Sequence, residues 1–502
     1  MNLFELVSHS ARLHPDKPAL VDDDGRSITF KELCNRSFQL AAAIRRLCNP
    51  GDRVGICLNS RLEWAEIFWA CALSETVAVP LNHRLPESDL ILMLEDANPA
   101  LVFTDNVDIE RKAKGAGSAV ISLAGETDGS VSYVSLFDGI TDTTIPATPG
   151  GIYQCILYTS GTQGRPKGVV LTHQNMVMNS FFLLAHEIQV GTDDVHLIST
   201  PLFNRLGITR LVTAAGLGAT CILLTKPGVE HVKNALDHQG VTFMGTVPTV
   251  LRMLERGWPE AIYPQVTCVV LAGEMISAAV LALARRLFPA ARTYSIYASS
   301  EAGLIGIARL SGDSSEGGMN PVLGVQVRVV PLSPDDSSIG ELWVRSGEPG
   351  TYTSMKGYWR HDAVDEQAFD GGWLPTGDIG RLDAMGRIYV LDRAKDMIIT
   401  GGVNVYSTQV ENCLRQHPSV AQVAVVGVPH PVWGEAVVAA VVVRAGCAFT
   451  EVELEQYARN HLPAYAVPKA IATLDTLPVN AMGKVVKTEL RNRLISILGE
   501  QS

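Results

Sequence analysis

The stretch CILYTSGTQGRPKGVVL, residues 155–171, places a glycine-rich segment between two short apolar runs. Between those runs stand three glycines, four hydroxyl side chains and one lysine, Lys167. Glycines let backbone N–H groups approach a phosphate closely, hydroxyl groups donate hydrogen bonds, and the lysine adds a positive charge. The pattern predicts two strands joined by a phosphate-binding loop. The loop residues predicted to bind phosphate are Thr159, Ser160, Gly161, Thr162, Gln163 and Gly164.

This loop is not a Walker A loop, because neither Lys167 nor Lys484 belongs to a Gly-x-x-x-x-Gly-Lys-Ser/Thr string. Glycine-rich turns are also common in proteins that bind no phosphate. Taken alone, the loop therefore leaves a turn without a ligand as the alternative, and other parts of the chain must decide between the two.

Short β-branched runs alternate with longer helix-like stretches around the loop. Residues 53–58 and 267–271 are two such runs, and residues 61–74 form a helix-like stretch. This alternation is typical of an α/β fold. Glycine and proline become frequent between residues 340 and 380, and the segment after Arg393 has helix and strand patterns of its own.

The change of pattern near Arg393 predicts a domain boundary. We expect a large N-terminal domain at residues 1–392, a hinge at 393–395 and a small C-terminal α+β domain at 396–502. The last segment contains about a hundred residues, which is enough for an independent small domain.

The composition is that of an ordinary globular protein. The chain has 502 residues, of which 47% are hydrophobic and 19% charged, and its formal net charge is -11. A chain of this length is expected to hold more than one domain. An acidic chain without long Lys/Arg runs argues against a general nucleic-acid or anionic-membrane surface. The longest apolar run, 436–443, is too short to span a bilayer.

The N-terminus and the cysteines bear on the compartment. Residues 1–15 lack the continuous apolar core of a signal peptide. The nine cysteines include no Cys-x-x-Cys pair, and scattered cysteines of odd number indicate reduced thiols. We therefore expect a cytoplasmic protein that binds no nucleic acid and inserts into no membrane. The oligomeric state stays open, with a homodimer among the alternatives.

Four further motifs follow the loop in order along the chain. They are Tyr297-Ala298-Ser299-Ser300-Glu301, Thr376-Gly377-Asp378, Asp392-Arg393-Ala394-Lys395-Asp396 leading to Gly401-Gly402, and Pro478-Val479-Asn480-Ala481-Met482-Gly483-Lys484. Together with the loop they resemble the adenylate-forming superfamily of acyl-CoA synthetases, firefly-type luciferases and peptide-synthetase adenylation domains. The resemblance spans nearly the whole chain. It implies a large adenylate-forming α/β domain, a small mobile domain, and the use of ATP, Mg2+, a carboxylic acid and coenzyme A.

The resemblance implies a nucleotide site. In it Tyr297 stacks on adenine, Glu301 holds Mg2+, and Asp378 and Arg393 contact the ribose. Each residue also has an alternative without a nucleotide. In the same order, these are a core aromatic residue, a surface charge, a turn cap and an interdomain salt bridge. The remaining members of the implied nucleotide site are Gly273, Glu274 and Ser300.

Lys484 is the predicted catalytic residue, assisted by Lys167. Attack of a carboxylate on the α-phosphate brings two anions together, so a cation is needed where negative charge accumulates. The alternative for Lys484 is a solvated lysine in a turn. The resemblance further implies that the small domain rotates about Lys395 and brings the Gly401-Gly402 turn to a pantetheine arm.

The segment Pro201-Leu202-Phe203-Asn204-Arg205-Leu206-Gly207 stands where acyl-CoA synthetases usually have Pro-Leu-Phe-His. Asn204 replaces the histidine, and no aspartate stands here to pair with an amino-acid substrate. We hypothesise that Arg205 or Arg210 meets a polar or second carboxylate group of the acid, the alternative being an exposed arginine. The implied acyl and thiol pocket consists of Phe203, Asn204, Arg205, Thr246, Gly401 and Gly402.

Other positions depart from the family pattern. Gln163 stands where the family often has Thr, Ala298 replaces a glycine, and Ser407-Thr408-Gln409 replaces a commoner Pro-x-Glu. Glu274 lies where the family has small residues, which predicts a more polar or shorter cavity.

The sequence therefore predicts an AMP-forming acyl- or aryl-CoA ligase. One rival passes the same adenylate to a carrier-protein phosphopantetheine thiol. A luciferase-like oxygenase is disfavoured because the sequence ends without a Ser-Lys-Leu address. A nucleotide-binding protein without catalysis is disfavoured by the presence of Lys484 and Glu301.

Overall fold

The computed structural model describes residues 2–125, 131–140, 153–159, 166–226, 228–273, 276–311, 318–333, 336–360, 363–365, 367–479 and 485–499. The chain divides into two compact units. The first comprises Met1–Val327 and Val344–Pro375, and the second comprises Arg328–Trp343 and Thr376–Ser502. The predicted α/β class with a large N-terminal and a small C-terminal unit is confirmed. The hinge at 393–395 and the bounds 1–392 and 396–502 stay predictions.

The α-helices of the described part are α1 (Glu5–Leu13), α2 (Phe30–Leu47), α3 (Leu62–Ser74), α4 (Glu87–Ala97), α5 (Val107–Gly115), α6 (His173–Met176), α7 (Leu184–Ile188), α8 (Arg205–Leu217), α9 (Val229–His238), α10 (Pro248–Gly257), α11 (Ala278–Leu287), α12 (Ser407–Leu414), α13 (Glu451–His461) and α14 (Lys487–Gly499). A π-helical segment, Val177–Leu183, connects α6 to α7.

The first sixteen strands, all in the first unit, are β1 (Pro18–Asp22), β2 (Ser27–Thr29), β3 (Arg53–Cys57), β4 (Val77–Pro80), β5 (Leu101–Thr104), β6 (Ala119–Ser122), β7 (Val131–Ser132), β8 (Tyr153–Thr159), β9 (Lys167–Thr172), β10 (Val195–Ile198), β11 (Thr220–Leu223), β12 (Phe243–Thr246), β13 (Cys268–Leu271), β14 (Arg292–Ser299), β15 (Gly303–Arg309) and β16 (Asn320–Pro321).

The later strands are β17 (Gln326–Ser333), β18 (Asp336–Arg345), β19 (Gly357–Arg360), β20 (Ala363–Asp365), β21 (Leu374–Leu382), β22 (Ile388–Arg393), β23 (Ile398–Thr400), β24 (Val403–Val405), β25 (Val420–His430), β26 (Gly434–Val443) and β27 (Ala470–Thr473).

Two nine-stranded sheets form the first unit. Their strand orders are β16-β15-β14-β13-β12-β10-β11-β1-β2 and β20-β19-β9-β8-β4-β3-β5-β6-β7. Helix α3 packs against β1 of one sheet and against β3 and β4 of the other. Twelve of its thirteen residues are buried, which fits a helix that is apolar on all sides.

The first sheet determines where its polar loop residues lie. Strands β10, β12, β13 and β14 run parallel to one another, so their carboxyl ends meet at one edge. Thr246 ends β12, Gly273 follows β13 closely, and Ser300 and Glu301 follow β14. The fold thus places these predicted nucleotide and acyl residues along one edge of the sheet.

The two faces of this sheet pack against different helices. Met244 and Val269 point into an apolar cluster shared with α9, α10 and α11. Phe243 and Gly245 alternate with Met244 along β12 and therefore point to the opposite face. On that face they contact Arg210 of α8.

In the second unit, β17, β18, β21 and β22 form a four-stranded sheet, and β23–β27 form a five-stranded sheet. Alternate residues of β25 point to two cores: Val423 and Val425 face α12 and α13, whereas Ala424 and Val426 face α14. The apolar run 436–443 is the centre of β26, which is buried on both faces. Within the described part of the chain, the helices are too short or too polar to cross a membrane.

Candidate active site

The predicted phosphate loop connects two antiparallel strands. Thr159 at the end of β8 pairs with Lys167 at the start of β9. Gly168 is required next, because a Cβ atom there would lie 2.8 Å from Cγ2 of Ile156. The stem of the loop therefore agrees with the prediction. The loop residues Ser160, Gly161, Thr162, Gln163 and Gly164 lie outside the described residues.

Lys167 and Glu301 both lie next to the side chain of Tyr358. The Lys167 Nζ atom is 5.0 Å from the ring centre of Tyr358, and the Tyr358 hydroxyl donates to Oε1 of Glu301 at 3.3 Å. Tyr358 occupies this place because β19 pairs antiparallel with β9, which sets Tyr358 opposite Val169. Burial, together with the adjacent Glu301 charge, raises the pKa of Tyr358, so its hydroxyl stays a hydrogen-bond donor at neutral pH.

Tyr297 and Ala298 lie at an irregularity of the β14–β15 ladder. The register shifts between them, which is the geometry of a β-bulge. Tyr297 is buried, whereas Ala298 is exposed. Ser300 and Glu301, two predicted nucleotide-binding residues, follow this bulge directly in the sequence.

Arg205 supports the turn that carries Glu301. It is 9% exposed, and its guanidinium donates to the carbonyl oxygens of Ser299, Ser300 and Thr353. The Nη2–O distance to Thr353 is 2.8 Å. Burial lowers the pKa of Arg205 to about 10, which leaves the group cationic at neutral pH. The alternative of an exposed arginine is therefore wrong for Arg205, whose guanidinium is occupied by backbone carbonyls.

Gly303 makes this arrangement feasible. Its φ angle is +73°, and a Cβ atom there would lie 2.5 Å from the Thr353 carbonyl oxygen and 2.8 Å from Nη2 of Arg205. Asn179 accepts from Leu304 N at 2.7 Å on the same turn. Only glycine combines this backbone conformation with this close approach.

The remaining acyl-pocket residues of the first unit lie around the start of α8 and the end of β12. Phe203 is buried against the ring of His83, with ring centres 5.7 Å apart. The Nδ2 atom of Asn204 is buried without a hydrogen-bond partner in the described part of the chain. The Ser199 hydroxyl donates to Oγ1 of Thr246 at 3.2 Å.

Gly273 and Glu274 follow β13 at the same edge. Gly273 is exposed and has a φ angle of +90°, a conformation that favours glycine. Glu274 lies outside the described residues, so the predicted effect of its carboxylate on the cavity stays a prediction.

In the second unit, the two predicted ribose residues lie side by side. Asp378 on β21 pairs with Arg393 on β22, and the Arg393 Nε atom is 2.6 Å from Oδ1 of Asp378. The Asp378 side chain is 6% exposed and that of Arg393 is 45% exposed. Gly377, which precedes Asp378 in β21, donates its N–H to Oε1 of Glu341 at 3.0 Å and so fixes the strand at this point.

A polar network connects Asp392, the first residue of the Asp392–Asp396 motif, to Ser407 and Lys487. The Ser407 hydroxyl donates to Oδ2 of Asp392 at 2.7 Å and accepts from Nζ of Lys487 at 2.6 Å. Lys487 also pairs with Glu411 at 2.7 Å. Ser407, a departure from the family pattern, thereby connects β22 to α12 and α14. A proline at position 407 could not make either hydrogen bond.

Lys395, Gly401 and Gly402 lie on the surface of the second unit. Lys395 is exposed in a short turn, Ala394–Asp396. Gly401 and Gly402 form the two-residue connection of the β23–β24 hairpin, and both have positive φ angles, as a type I′ turn requires. Gly401 donates its N–H to the Trp433 carbonyl at 2.8 Å. Lys484 lies outside the described residues.

The carboxylate of Glu301 suits the Mg2+ ion that the sequence predicts. Among the described residues, no group of three or more His, Cys, Asp and Glu side chains could hold a metal ion by itself. Glu301 offers a hard oxygen ligand at the sheet edge. One carboxylate plus substrate phosphate oxygens is a usual way of binding Mg2+.

Sequence reasoning missed Tyr358 and the supporting role of Arg205. Tyr358 lies in a glycine-rich region, and its partner Glu301 is 57 residues away. The aromatic run Tyr358-Trp359 could have indicated an edge strand, but nothing local connects it to Lys167. Ser407 was recognised as a departure, although its partner Lys487 was not.

Comparison with known proteins agrees with this geometry. Residues 7–359 match the AMP-binding enzyme family, and residues 409–484 match the AMP-binding enzyme C-terminal domain. The 2-succinylbenzoate–CoA ligase of Bacillus velezensis is 32% identical over 495 residues, which cover 96% of each chain. A feruloyl-CoA synthase of Amycolatopsis sp. is 32% identical over 500 residues, which cover 96% of this chain and 97% of that one.

A solved structure shows the same architecture. The o-succinylbenzoate CoA synthetase from Bacillus subtilis, in complex with the acyl-adenylate intermediate OSB-AMP, matches with a TM-score of 0.83 at 28% identity. The match covers 97% of each chain. Since the family match extends over more than half of the sequence, the chain belongs to the AMP-binding enzyme family.

Proposed function

We propose that this enzyme joins a carboxylic acid to coenzyme A in two steps that consume ATP. In the first step a carboxylate oxygen attacks the α-phosphorus of ATP, and the bond to pyrophosphate breaks. In the second step the CoA thiol attacks the acyl carbon, the bond to AMP breaks, and the thiol proton passes to solvent. The products are acyl-CoA, AMP and pyrophosphate. The relatives named above act on aromatic acids, which favours an aryl or aryl-alkyl acid.

The arrangement of Lys167, Tyr358 and Glu301 is the observation that carries this proposal. It brings one cation to the ring and one carboxylate to the hydroxyl group of a half-buried tyrosine, beside the stem of the phosphate loop. Binding of a triphosphate requires a positively charged side chain and a divalent cation, because both neutralise phosphate charge. Mg2+ held by Glu301 would neutralise phosphate charge and help pyrophosphate to depart. Tyr358 holds the carboxylate in a fixed orientation through its hydroxyl group.

The second unit contributes the expected ribose residues and the predicted catalytic lysine. Asp378 offers a carboxylate that accepts from ribose hydroxyl groups, and Arg393 fixes the orientation of that carboxylate. We propose Lys484 as the cation that offsets negative charge during attack on the α-phosphate. Its role follows from the motif that it ends.

Acid-dependent pyrophosphate exchange tests the first step. The enzyme is incubated with ATP, Mg2+, labelled pyrophosphate and a panel of short, medium, aromatic and dicarboxylic acids. We expect exchange with a subset of the acids and loss of exchange in a Lys484→Ala variant that retains the parent melting temperature. Exchange that is unaffected by this substitution would contradict the proposed role of Lys484.

The acceptor is tested with the acid that gives the fastest exchange. We expect coenzyme A to accelerate AMP release and to yield a thioester. Asn204 replaces the histidine that is usual at this position, so the acceptor is the step most open to change. Acceleration by a phosphopantetheinylated carrier protein instead of coenzyme A would favour the carrier-protein ligase.

A further inference from the structure

Arg210 is a fully buried arginine that lacks a hydrogen-bonding partner among the described residues. It lies in the middle of α8 and is 0% exposed. Its Nε, Nη1 and Nη2 atoms make no hydrogen bond within the part of the chain that the structure describes. Its guanidinium lies 5.2 Å from the ring centre of Phe243. An aromatic face compensates only part of the cost of burying a full charge.

The arginine is charged despite its burial. Burial lowers the pKa of Arg210 to about 10, and the thiol of Cys268 is the group that opposes this shift. That thiol is neutral near pH 7, because burial raises the pKa of Cys268 to about 12. A cation with five N–H donors is therefore left without a countercharge among the described residues. Native proteins rarely leave such a group unsatisfied, so it indicates a missing partner.

A buried histidine, His196, lies on the same face of the sheet. His196 is 0% exposed, and neither of its ring nitrogens has a partner in the described chain. Its ring centre lies 4.4 Å from that of Phe243, the same ring that Arg210 covers. Burial lowers the pKa of His196 to about 3, so the imidazole is neutral and keeps one N–H donor.

Gly245 of β12 leaves space for the Arg210 guanidinium because it has no side chain. A Cβ atom on Gly245 would lie 2.3 Å from Nε and 2.8 Å from Cζ of Arg210. Gly245 directly precedes Thr246, the predicted acyl-pocket residue at the end of β12. A larger residue at position 245 would force the arginine away from the sheet.

The position of Arg210 is deeper than that of Arg205. Helix α8 starts at Arg205, whose guanidinium lies under the Ser299–Ser300 turn at the carboxyl edge of the sheet. Arg210 is five positions further on, which corresponds to about 7–8 Å along the helix axis. A substrate that enters at the sheet edge would therefore contact Arg210 with the end that lies farthest from that edge.

We propose that Arg210, together with His196, binds a second carboxylate at the distal end of the acyl substrate. The inference rests on the proposed function and names its substrate class: acids that carry one carboxylate for activation and another for recognition. Of the two arginines considered from the sequence, Arg205 is occupied by three carbonyl oxygens, whereas Arg210 has donors to spare. A bidentate guanidinium–carboxylate pair would satisfy Arg210 and reject acids that leave it empty.

The test compares diacids with their half-amides. Linear and aromatic dicarboxylic acids, each paired with the half-amide of equal length, are assayed for AMP release with the parent and with Arg210→Met. We expect the parent to prefer the diacids by roughly tenfold to a hundredfold in kcat/KM, as a charge-assisted pair implies. Arg210→Met should lose or invert this preference and still turn over the half-amides. Arg256→Met, an exposed arginine of α10, serves as the matched control.

Gly245→Ala provides a second variant that keeps the charge. Its added methyl group displaces the guanidinium, so the preference for diacids should fall while Arg210 is still present. An unchanged ratio of diacid to half-amide in both variants would overturn the proposal, and so would a parent that turns over half-amides as well as diacids.

Ligand binding separates this inference from the proposed function. Thermal unfolding is followed with each diacid and half-amide in the absence of ATP. Diacids should raise the melting temperature of the parent and leave that of Arg210→Met unchanged, even if no acid is activated. Absence of AMP release from every acid would refute the ligase function, whereas an equal thermal shift in parent and Arg210→Met would refute the role of Arg210.

Discussion

The Nε atom of Arg393 lies 2.6 Å from Oδ1 of Asp378, and the two residues are direct partners in the β21–β22 ladder. The carboxylate is nearly buried, whereas the guanidinium is half exposed. The ladder pairing therefore fixes the carboxylate beside the guanidinium. The strand register, rather than a flexible loop, determines its orientation.

Substitution of this pair should weaken ATP binding. Asp378→Asn removes the charge that we propose accepts from the ribose hydroxyl groups, and we expect KM for ATP to rise roughly tenfold to a hundredfold. Arg393→Lys should have a smaller effect, because it keeps the charge and loses only the planar fork. Initial rates at varied ATP concentration measure both. An unchanged KM for ATP in Asp378→Asn would argue against ribose recognition.

Glu301 should determine the dependence on Mg2+. Glu301→Gln keeps the shape and removes the negative charge, so we expect roughly a hundredfold loss of pyrophosphate exchange, partly restored by more Mg2+. Tyr358→Phe should cost roughly threefold to tenfold, since it removes one neutral donor. Tyr465→Phe, at an exposed site, is the control. Mg2+ titrations that coincide for parent and Glu301→Gln would rule out the metal role.

Arg205 and Arg210 should respond oppositely to the same replacement. Arg205→Met removes a donor from the carbonyl groups of Ser299, Ser300 and Thr353, of which Thr353 keeps the Asn175 amide at 2.7 Å. We expect a loss of about 2–4 kcal/mol in the free energy of unfolding. Activity should fall alike for every acid, because the Glu301 turn is shared by all substrates.

Arg210→Met puts an apolar side chain of similar length in place of a buried charge that has no partner in the described part of the chain. The free energy of unfolding should stay equal or rise. Urea unfolding of both variants and the parent measures the contrast. A large destabilisation by Arg210→Met would assign that arginine a structural role instead.

Two buried histidines predict a loss of stability in mild acid. Burial lowers the pKa of His173 to about 4 and that of His196 to about 3, and both values lie below the ordinary 6.5. Between these values and pH 6.5 the unfolded chain binds protons that the folded chain does not. Stability is therefore complete above pH 6.5 and falls as the pH drops, by about 1.4 kcal/mol per pH unit for each histidine.

Urea midpoints at several pH values between 7 and 5 check this linkage. His173→Gln should fold and show a shallower slope, because one of the two proton linkages is removed. The hydrogen bond that His173 Nδ1 accepts from Leu3 N at 3.2 Å gives an independent reason for the neutral form. A slope of opposite sign would contradict the buried neutral state.

The Ser407 network should stabilise the second unit. Ser407→Ala removes a donor to Asp392 and an acceptor for Lys487, and all three groups are buried or nearly so. We expect a loss of about 1–3 kcal/mol in the free energy of unfolding. The exposed Ser496, on α14, provides Ser496→Ala as a control. Equal urea midpoints for the two variants would show that solvent replaces the network.

Much of this architecture could be predicted from the sequence because it depends on local pattern. The strand–loop–strand around Lys167 and the helix at 61–74 each follow from glycine placement and apolar periodicity within a few residues. The order of the motifs likewise predicted the family. These features survive in any packing that buries the same apolar faces.

Only the tertiary structure decided which polar and charged side chains have hydrogen-bond partners within the protein. Arg205 reaches carbonyl groups 94 to 148 residues away, and Tyr358 reaches Glu301 across 57 residues. Arg210 stands on the same helix as Arg205 and has no such partner among the described residues. Sequence pattern cannot separate two arginines on one helix, because their partners come from strands that meet only when the sheet and α8 pack together.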